Sequence, residues 1–322
     1  MHLSLARLPV IAGLIYLFIS LLCLSPAEAA QTRVVLGTAT PGGGFQLFGQ
    51  TLIEVFNAHS DGMQLQEQPT RGSRQNLKLL EAGKIDIGQV EGNAARVALD
   101  GIGREPANLK VLSVMYPNPG MFVVRADSEY HTIADLKGKP IAFGTRASGL
   151  RILVADVLDG LGLDPEKDFQ QIILDKAADG PKLVLERKAE ALWGAGIGWP
   201  GFVKVANSET GARFIAPSDE QLGQIHARHP HLRPMTVPAN TYRGQTQPIN
   251  SVGLWSLILV RPDMPEEVVY QLARALHRNE ALLAEQLEQA RYTTAKNTVQ
   301  QVPSELLHPG VLRFFREAGI QP

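Results

Sequence analysis

Cysteine is nearly absent: the 322 residues hold one, Cys23, inside an apolar stretch near the N-terminus. Beyond that stretch no disulfide or thiolate metal site can form, so the chain must rely on a packed core. Charge of one sign is also scarce. Lys and Arg total 31 against 32 Asp and Glu, a net charge of −1, which offers no basic surface for nucleic acid. No long hydrophobic run recurs after Ala30, and no internal repeat or low-complexity tract stands out.

What is present begins with Met1 to Ala29, which reads as a secretory signal. Arg7 supplies a positive start, Leu8 to Leu24 an apolar run, and Ala27-Glu28-Ala29 a small-x-small cleavage site. The run approaches the ~18 apolar residues at which a spanning helix becomes possible, so a retained anchor is the alternative. Leu21-Leu22 ahead of Cys23 lack the small residues a lipid-anchoring cysteine needs. The reading is export with cleavage, leaving roughly 290 residues, at the limit for one core and comfortable for two domains.

Along that remainder, short apolar runs alternate with helical patterns. Arg33 to Gly37 predicts a strand; Phe45, Phe48, Leu52, Val55 and Phe56 share one helical face. Ser73 is a candidate cap for a helix ending at Gly83. "IDIGQ" (85–89), "LKVLSVMY" (109–116) and "MFVV" (121–124) predict strands, "NAARVAL" follows the first of these, and "TIADLKGKPIAFG" (132–144) opens on a Thr132/Asp135 capping pattern. Pro265 through Leu287 and Pro309 to Ala318 predict helices. The alternation indicates an α/β fold with parallel sheets covered by helices on both faces. "MYPNPGMFVVR" (115–125) and "QPINSVGLWSLILVR" (247–261) are either two crossings between lobes or ordinary core strands.

The glycine-rich turn "GTATPGGGFQLFG" (37–49) joins the first strand to the first helix. A triphosphate-binding loop needs Lys-Ser/Thr after its last glycine, whereas Phe45-Gln46 follow Gly44. A dinucleotide fingerprint needs G-x-G-x-x-G and an acid ending the second strand, and both are missing. Two readings stay open: free N–H groups that receive an anion such as a carboxylate, or a tight turn without a ligand. "PTRGSRQN" (69–76) and "GTRASGLR" (144–151) are similar polar loops, and strand C-terminal ends are where such sheets bind ligands. Catalytic signs are weak. Ser148 lies in "ASG" without an identifiable base, and Asp86, Glu91 and Asp175 show no partner carboxylate. "HARHPH" (226–231) has near-metal spacing, but Pro230 breaks it, and a solvated helix end is the preferred reading. No enzyme, cofactor or metal is expected.

Four long segments, "GTATPGGGFQLFGQTL", "PTRGSRQNLKLLEAGKIDIGQVEGNAA", "YPNPGMFVVRADSEYHTIADLKGKPIAFGTRASGLRILV" and "PANTYRGQTQPINSVGLWSLILVRPDMPEEVVYQLARAL", with the C-terminal "LHPGVLRFFREAG", resemble TAXI-type solute receptors. These TRAP-associated extracytoplasmic immunogenic proteins are substrate-binding subunits of TRAP transporters. The resemblance implies a type II periplasmic-binding-protein fold: two α/β lobes, two crossing strands and a cleft. Residues 30–122 with 254–322 would form lobe I and 123–253 lobe II. It further implies a periplasmic, monomeric protein that passes a small anionic solute, of amino acid or dicarboxylate class, to a TRAP membrane permease. A sensing subunit that docks on a membrane signalling protein is the alternative. The family's G-T-G-G-x-x-G-x-Y-Y loop falls on Gly37, Thr38, Gly43, Gly44, Phe45 and Gln46, with Gln46 replacing an aromatic. Its S-T-G-G-S loop falls on Pro69, Thr70, Arg71, Gly72 and Ser73, with Arg71 replacing a glycine. Its A-Q-S-D segment reads Gly88, Gln89, Val90, Glu91. Thr145, Arg146, Ser148, Trp193 and Trp199 complete the expected ligand set.

Overall fold

The structure is a computed structural model that describes residues 31–60 and 62–321. The signal-like segment and Cys23 lie outside those residues.

Strand β1 (Thr32–Gly37) buries Val34 and Leu36. Helix α1 (Gly44–His59) then buries Phe48, Leu52, Val55 and Phe56, the stripe its spacing predicts. β2 (Met63–Gln68), α2 (Ser73–Glu81), β3 (Ile87–Val90), α3 (Gly92–Leu99) and β4 (Lys110–Pro117) follow. These strands and the late β12 (Trp255–Val260) form one sheet, ordered β2-β1-β3-β12-β4. β1 runs parallel to β2 and β3, while β12 is antiparallel to both its neighbours.

The chain then changes sheet at Asn118-Pro119. β5 (Gly120–Arg125) pairs with β8 (Ala191–Ala195) and β9 (Ala212–Ile215). Residues 120–122, expected in the first lobe, therefore belong to the second sheet, because the crossing occupies only the two residues after β4. That sheet is ordered β7-β6-β8-β5-β9, with β6 (Pro140–Thr145) parallel to β7 (Gln170–Leu174) and β8. Alternate residues of β5 face opposite layers: Phe122 and Val124 meet one apolar cluster, Met121 and Val123 the other. Helices α4 (Leu150–Gly160), α5 (Asp179–Leu185), α6 (Pro200–Ala206) and α7 (Asp219–Arg228) belong to this second half. β10 (Arg233–Val237) and β11 (Ile249–Gly253) form a short ribbon beside β5, and Leu254 leads the chain back into β12.

The two crossings touch. Asn118 donates from its backbone and from Nδ2 to the Leu254 carbonyl, at 3.2 and 3.0 Å, and from Nδ2 to Ser256 Oγ at 2.8 Å. A β-carbon on Gly253 would lie 1.9 Å from the Asn118 carbonyl oxygen, so only glycine lets the two passages run this close. The chain ends in α8 (Glu266–Arg278), α9 (Glu280–Gln286), α10 (Ala295–Gln301) and α11 (Pro309–Glu317), packed on the first sheet.

Three local expectations change. The 265–287 helix is broken at Asn279. Ser73 is the first helical residue and caps nothing; Gly72 precedes it at φ 115°, and Ser73 Oγ accepts instead from the Glu91 N–H. Thr132 and Asp135 exchange their capping hydrogen bonds, but around a single 3₁₀ turn, Ala134–Leu136.

Candidate functional site

The strand C-terminal ends of both sheets meet across an interlobe cavity of about 80 Å³. The lobes are closed on each other by four hydrogen bonds: Ala178 N–H to the Pro41 carbonyl (3.2 Å), Ala177 N–H to Thr40 Oγ1 (3.1 Å), Arg74 N–H to the Ala147 carbonyl (3.1 Å) and Thr145 Oγ1 to the Arg71 carbonyl (3.3 Å). The glycine loop owes its composition partly to this closure. At Gly42, φ is +80° and a β-carbon would lie 2.5 Å from the Ala178 β-carbon. At Gly43 the opposing Ala177 β-carbon would be 3.2 Å away. Side chains here would hold the lobes apart.

The same loop has a second role. Gly43, the residue before α1, lines the cavity with Gly44 and Phe45, and α1 has no side-chain cap. The first N–H groups of the helix, on Gly44, Phe45 and Gln46, thus have no intrahelical acceptor, and the helix dipole adds partial positive charge there. Gln46 does not fill the gap, because its Oε1 accepts from the Gly42 N–H at 3.0 Å.

Charged groups among the lining residues number two, both from the first lobe. Arg71 is exposed at its outer side, yet it borders the cavity, and its guanidinium has no hydrogen bond or ion pair among the described residues. Its backbone is held by Gln75 Oε1 and Thr145. Glu91 is 2% exposed and caps α3, accepting from the N–H groups of Asn93 (3.0 Å) and Ala94 (3.2 Å) and from Asn93 Nδ2 (2.9 Å). Burial outweighs these bonds and pushes its carboxyl up to about 7. The Asn93 Oδ1 atom is buried without a partner.

The second lobe supplies the apolar wall. Trp199 packs over Gly194 and Gly201 and edge-on to Phe202, with ring centroids 5.0 Å apart. Tyr242 fixes the loop before it, donating to the Gly196 carbonyl and accepting from the Gly198 N–H, each at 3.1 Å. Trp193 spends its indole N–H on the Leu150 carbonyl at 3.1 Å, so it offers the cavity only ring surface.

Of the residues expected from sequence, Gly43, Gly44, Phe45, Arg71, Gly72, Ser73, Glu91, Thr145, Ser148, Trp193 and Trp199 line the cavity. Five do not. Thr38 is turned to Glu67, and Thr70 is turned to the Thr38 carbonyl. Gln46 folds back on its own loop, Gln89 is sealed in the first lobe beside Gly49, and Arg146 is exposed. Sequence reasoning missed Tyr116 and Asn118 at the first crossing and Ser256 beyond the second. Burial alone shifts the Tyr116 hydroxyl far upward, with no hydrogen bond offsetting it. The run "MYPNPG" was the available signal, because a crossing passes under the cleft. Gln289, buried against Gly44 and Gly196 with its amide unpartnered, carried no signal.

Residues 36–319 match the NMT1-like family. The chain belongs to that family. Among solved structures, a periplasmic transporter is similar at 13% identity and a TM-score of 0.55, over 89% of this chain and 96% of that one. A protein from Bordetella bronchiseptica RB50 is similar at 13% identity and 0.53, over 91% of each chain. A proposed L-cystine ABC transporter from Listeria monocytogenes is similar at 13% identity and 0.52, over 84% and 100%. At such identities the likeness concerns the fold, which is the two-lobed, periplasmic-binding-protein-like α/β architecture expected from sequence.

Proposed function

We propose that this NMT1-like chain is an exported solute receptor: it closes on a small carboxylate-bearing molecule, of amino acid or dicarboxylate class, and delivers it to a TRAP-type permease as a TAXI-type receptor does. The observation that carries the reading is that Arg71, without a side-chain partner among the described residues, and the uncapped α1 terminus both border one interlobe cavity. Both favour an anion: the guanidinium fork suits a carboxylate, and helix N–H groups stabilise its charge. The volume of about 80 Å³ holds on the order of six water-sized groups, which suits a compact solute.

Closure on the solute follows from this arrangement, since a ligand touching both lobes favours the closed state. The two crossings, joined at Asn118 and Leu254, form the hinge. The protein acts as a periplasmic monomer, released by cleavage near Ala30.

Native mass spectrometry of the purified mature chain tests this reading. A co-purified carboxylate, with a smaller radius of gyration in solution scattering when the solute is bound, is the expected result. A neutral solute, or equal radii with and without saturating solute, would overturn it.

A further inference from the structure

The tract 226–231 does not end as a free, solvated helix terminus. His229 and His231 are half-buried against α4, where Asp156 and Asp159 stand one turn apart. His229 Nε2 lies 2.7 Å from Asp159 Oδ2, and Asp159 is itself held by Arg228 at 2.6 and 2.8 Å. That contact engages one ring nitrogen and leaves Nδ1 for a second partner. His229 Nδ1 faces Asp156 Oδ1 at 3.8 Å, too far for a hydrogen bond. The second Asp156 oxygen is 3.0 Å from His231 Nε2.

We propose that Asp156, His229 and His231 bind one divalent transition-metal ion of the zinc class, with Asp159 positioning His229. Their ligand atoms all lie within 4.8 Å of one another. A tetrahedral zinc ion would draw them to a spacing of ~3.3 Å, given metal–nitrogen distances near 2 Å. Two imidazoles and a carboxylate form a donor set for zinc, with water in the fourth position. A carboxylate on the far ring nitrogen, as Asp159 provides, sets the liganding tautomer and raises ligand basicity.

The frame that carries the donors is rigid. A β-carbon on Gly160 would lie 2.8 Å from the Ile225 α-carbon, so α4 and α7 pack backbone to backbone. Leu232, fully buried, anchors the chain just past His231, and Pro230 separates the two histidines. The donors stay reachable, with side-chain exposures of 16%, 18% and 22% for His229, His231 and Asp156. Arg96 of α3 is close enough to act on His231, but it is paired with Asp100 at 3.7 Å. α4 also carries Leu150 of the solute cavity, so the ion would brace the helix that closes over the solute.

Titration of the untagged mature chain with Co²⁺ and Zn²⁺ tests the site. One ion per chain is expected, with the visible absorption of low-symmetry, four-coordinate Co²⁺ and a raised melting temperature. His229→Ala and His231→Gln should each weaken binding at least tenfold. Asp159→Asn should weaken it by about 10–100-fold, whereas His226→Ala, on an exposed neighbour, should leave it unchanged. Melting in chelator checks that each variant is folded. Absence of one-to-one binding, or affinity unmoved by His229→Ala and His231→Gln in folded protein, would show that the cluster is a set of ion pairs only.

Discussion

The two walls of the cavity differ in kind. The first lobe presents Arg71, Glu91, Tyr116 and the uncapped start of α1; the second presents Trp193, Trp199, Leu150, Leu174 and Ala177. Polar groups on the first wall hang from a core that does not need them: Arg71 is exposed, and the α1 N–H groups are backbone. The indoles of the second wall are themselves core, 1% and 7% exposed and packed on Phe122 and Phe202. Recognition on one side is therefore separable from folding, and on the other side it is not.

Trp199→Ala should break that contrast from the apolar side. Losing a buried indole that covers two glycines should cost roughly 3–5 kcal/mol of stability as well as solute affinity. Denaturant unfolding beside calorimetric titration measures both, and a stable variant that only binds weakly would place Trp199 outside the core.

Glu91 is the polar-wall residue that folding does feel. A rise from 4.5 in the unfolded chain to about 7 when folded means the native state prefers the protonated form. Stability should be unaffected below pH 4.5, fall between pH 4.5 and about 7, and stay level above, the loss being about 3 kcal/mol. Glu91→Gln keeps the shape and removes the charge, so it should gain up to that amount at pH 8 and nothing at pH 4. Urea unfolding at pH 4, 6 and 8 decides it; parallel profiles for the two proteins would mean Glu91 is ionised in the native state.

Arg71→Ala should leave unfolding unchanged and weaken solute binding by roughly 1.5–3 kcal/mol, about ten- to a hundredfold. Arg71→Lys should also lose affinity, because a point charge replaces the planar fork. Unchanged affinity in calorimetry would put the recognition elsewhere. Arg146→Ala carries the smallest expectation, within about 0.5 kcal/mol in stability and none in binding, since the side chain is exposed and does not line the interlobe cavity. A measurable loss of affinity would mean that Arg146 swings in when solute arrives.

Local regularity made much of the fold legible. The α1 stripe follows from a period of 3.6, and the buried β4 and β5 from continuous apolar runs, both properties of neighbouring residues. The loops that reach the cleft were legible too, because they follow strand C-terminal ends. Contacts between distant segments decided the rest. Gly42 meets Ala178 and His229 meets Asp159 across many intervening residues, and no local pattern encodes those distances. Thr38, Thr70 and Gln89 match site positions in sequence, yet the first lobe's own packing takes them inward. The chain order thus determined strand-helix alternation and small-residue loops between strand and helix, and left residues 115–125 and 247–261 open between crossings and ordinary core strands. Which atoms of those loops are left unpaired for a solute was decided only by lobe-on-lobe packing, because a polar group is free only when nothing nearby has satisfied it.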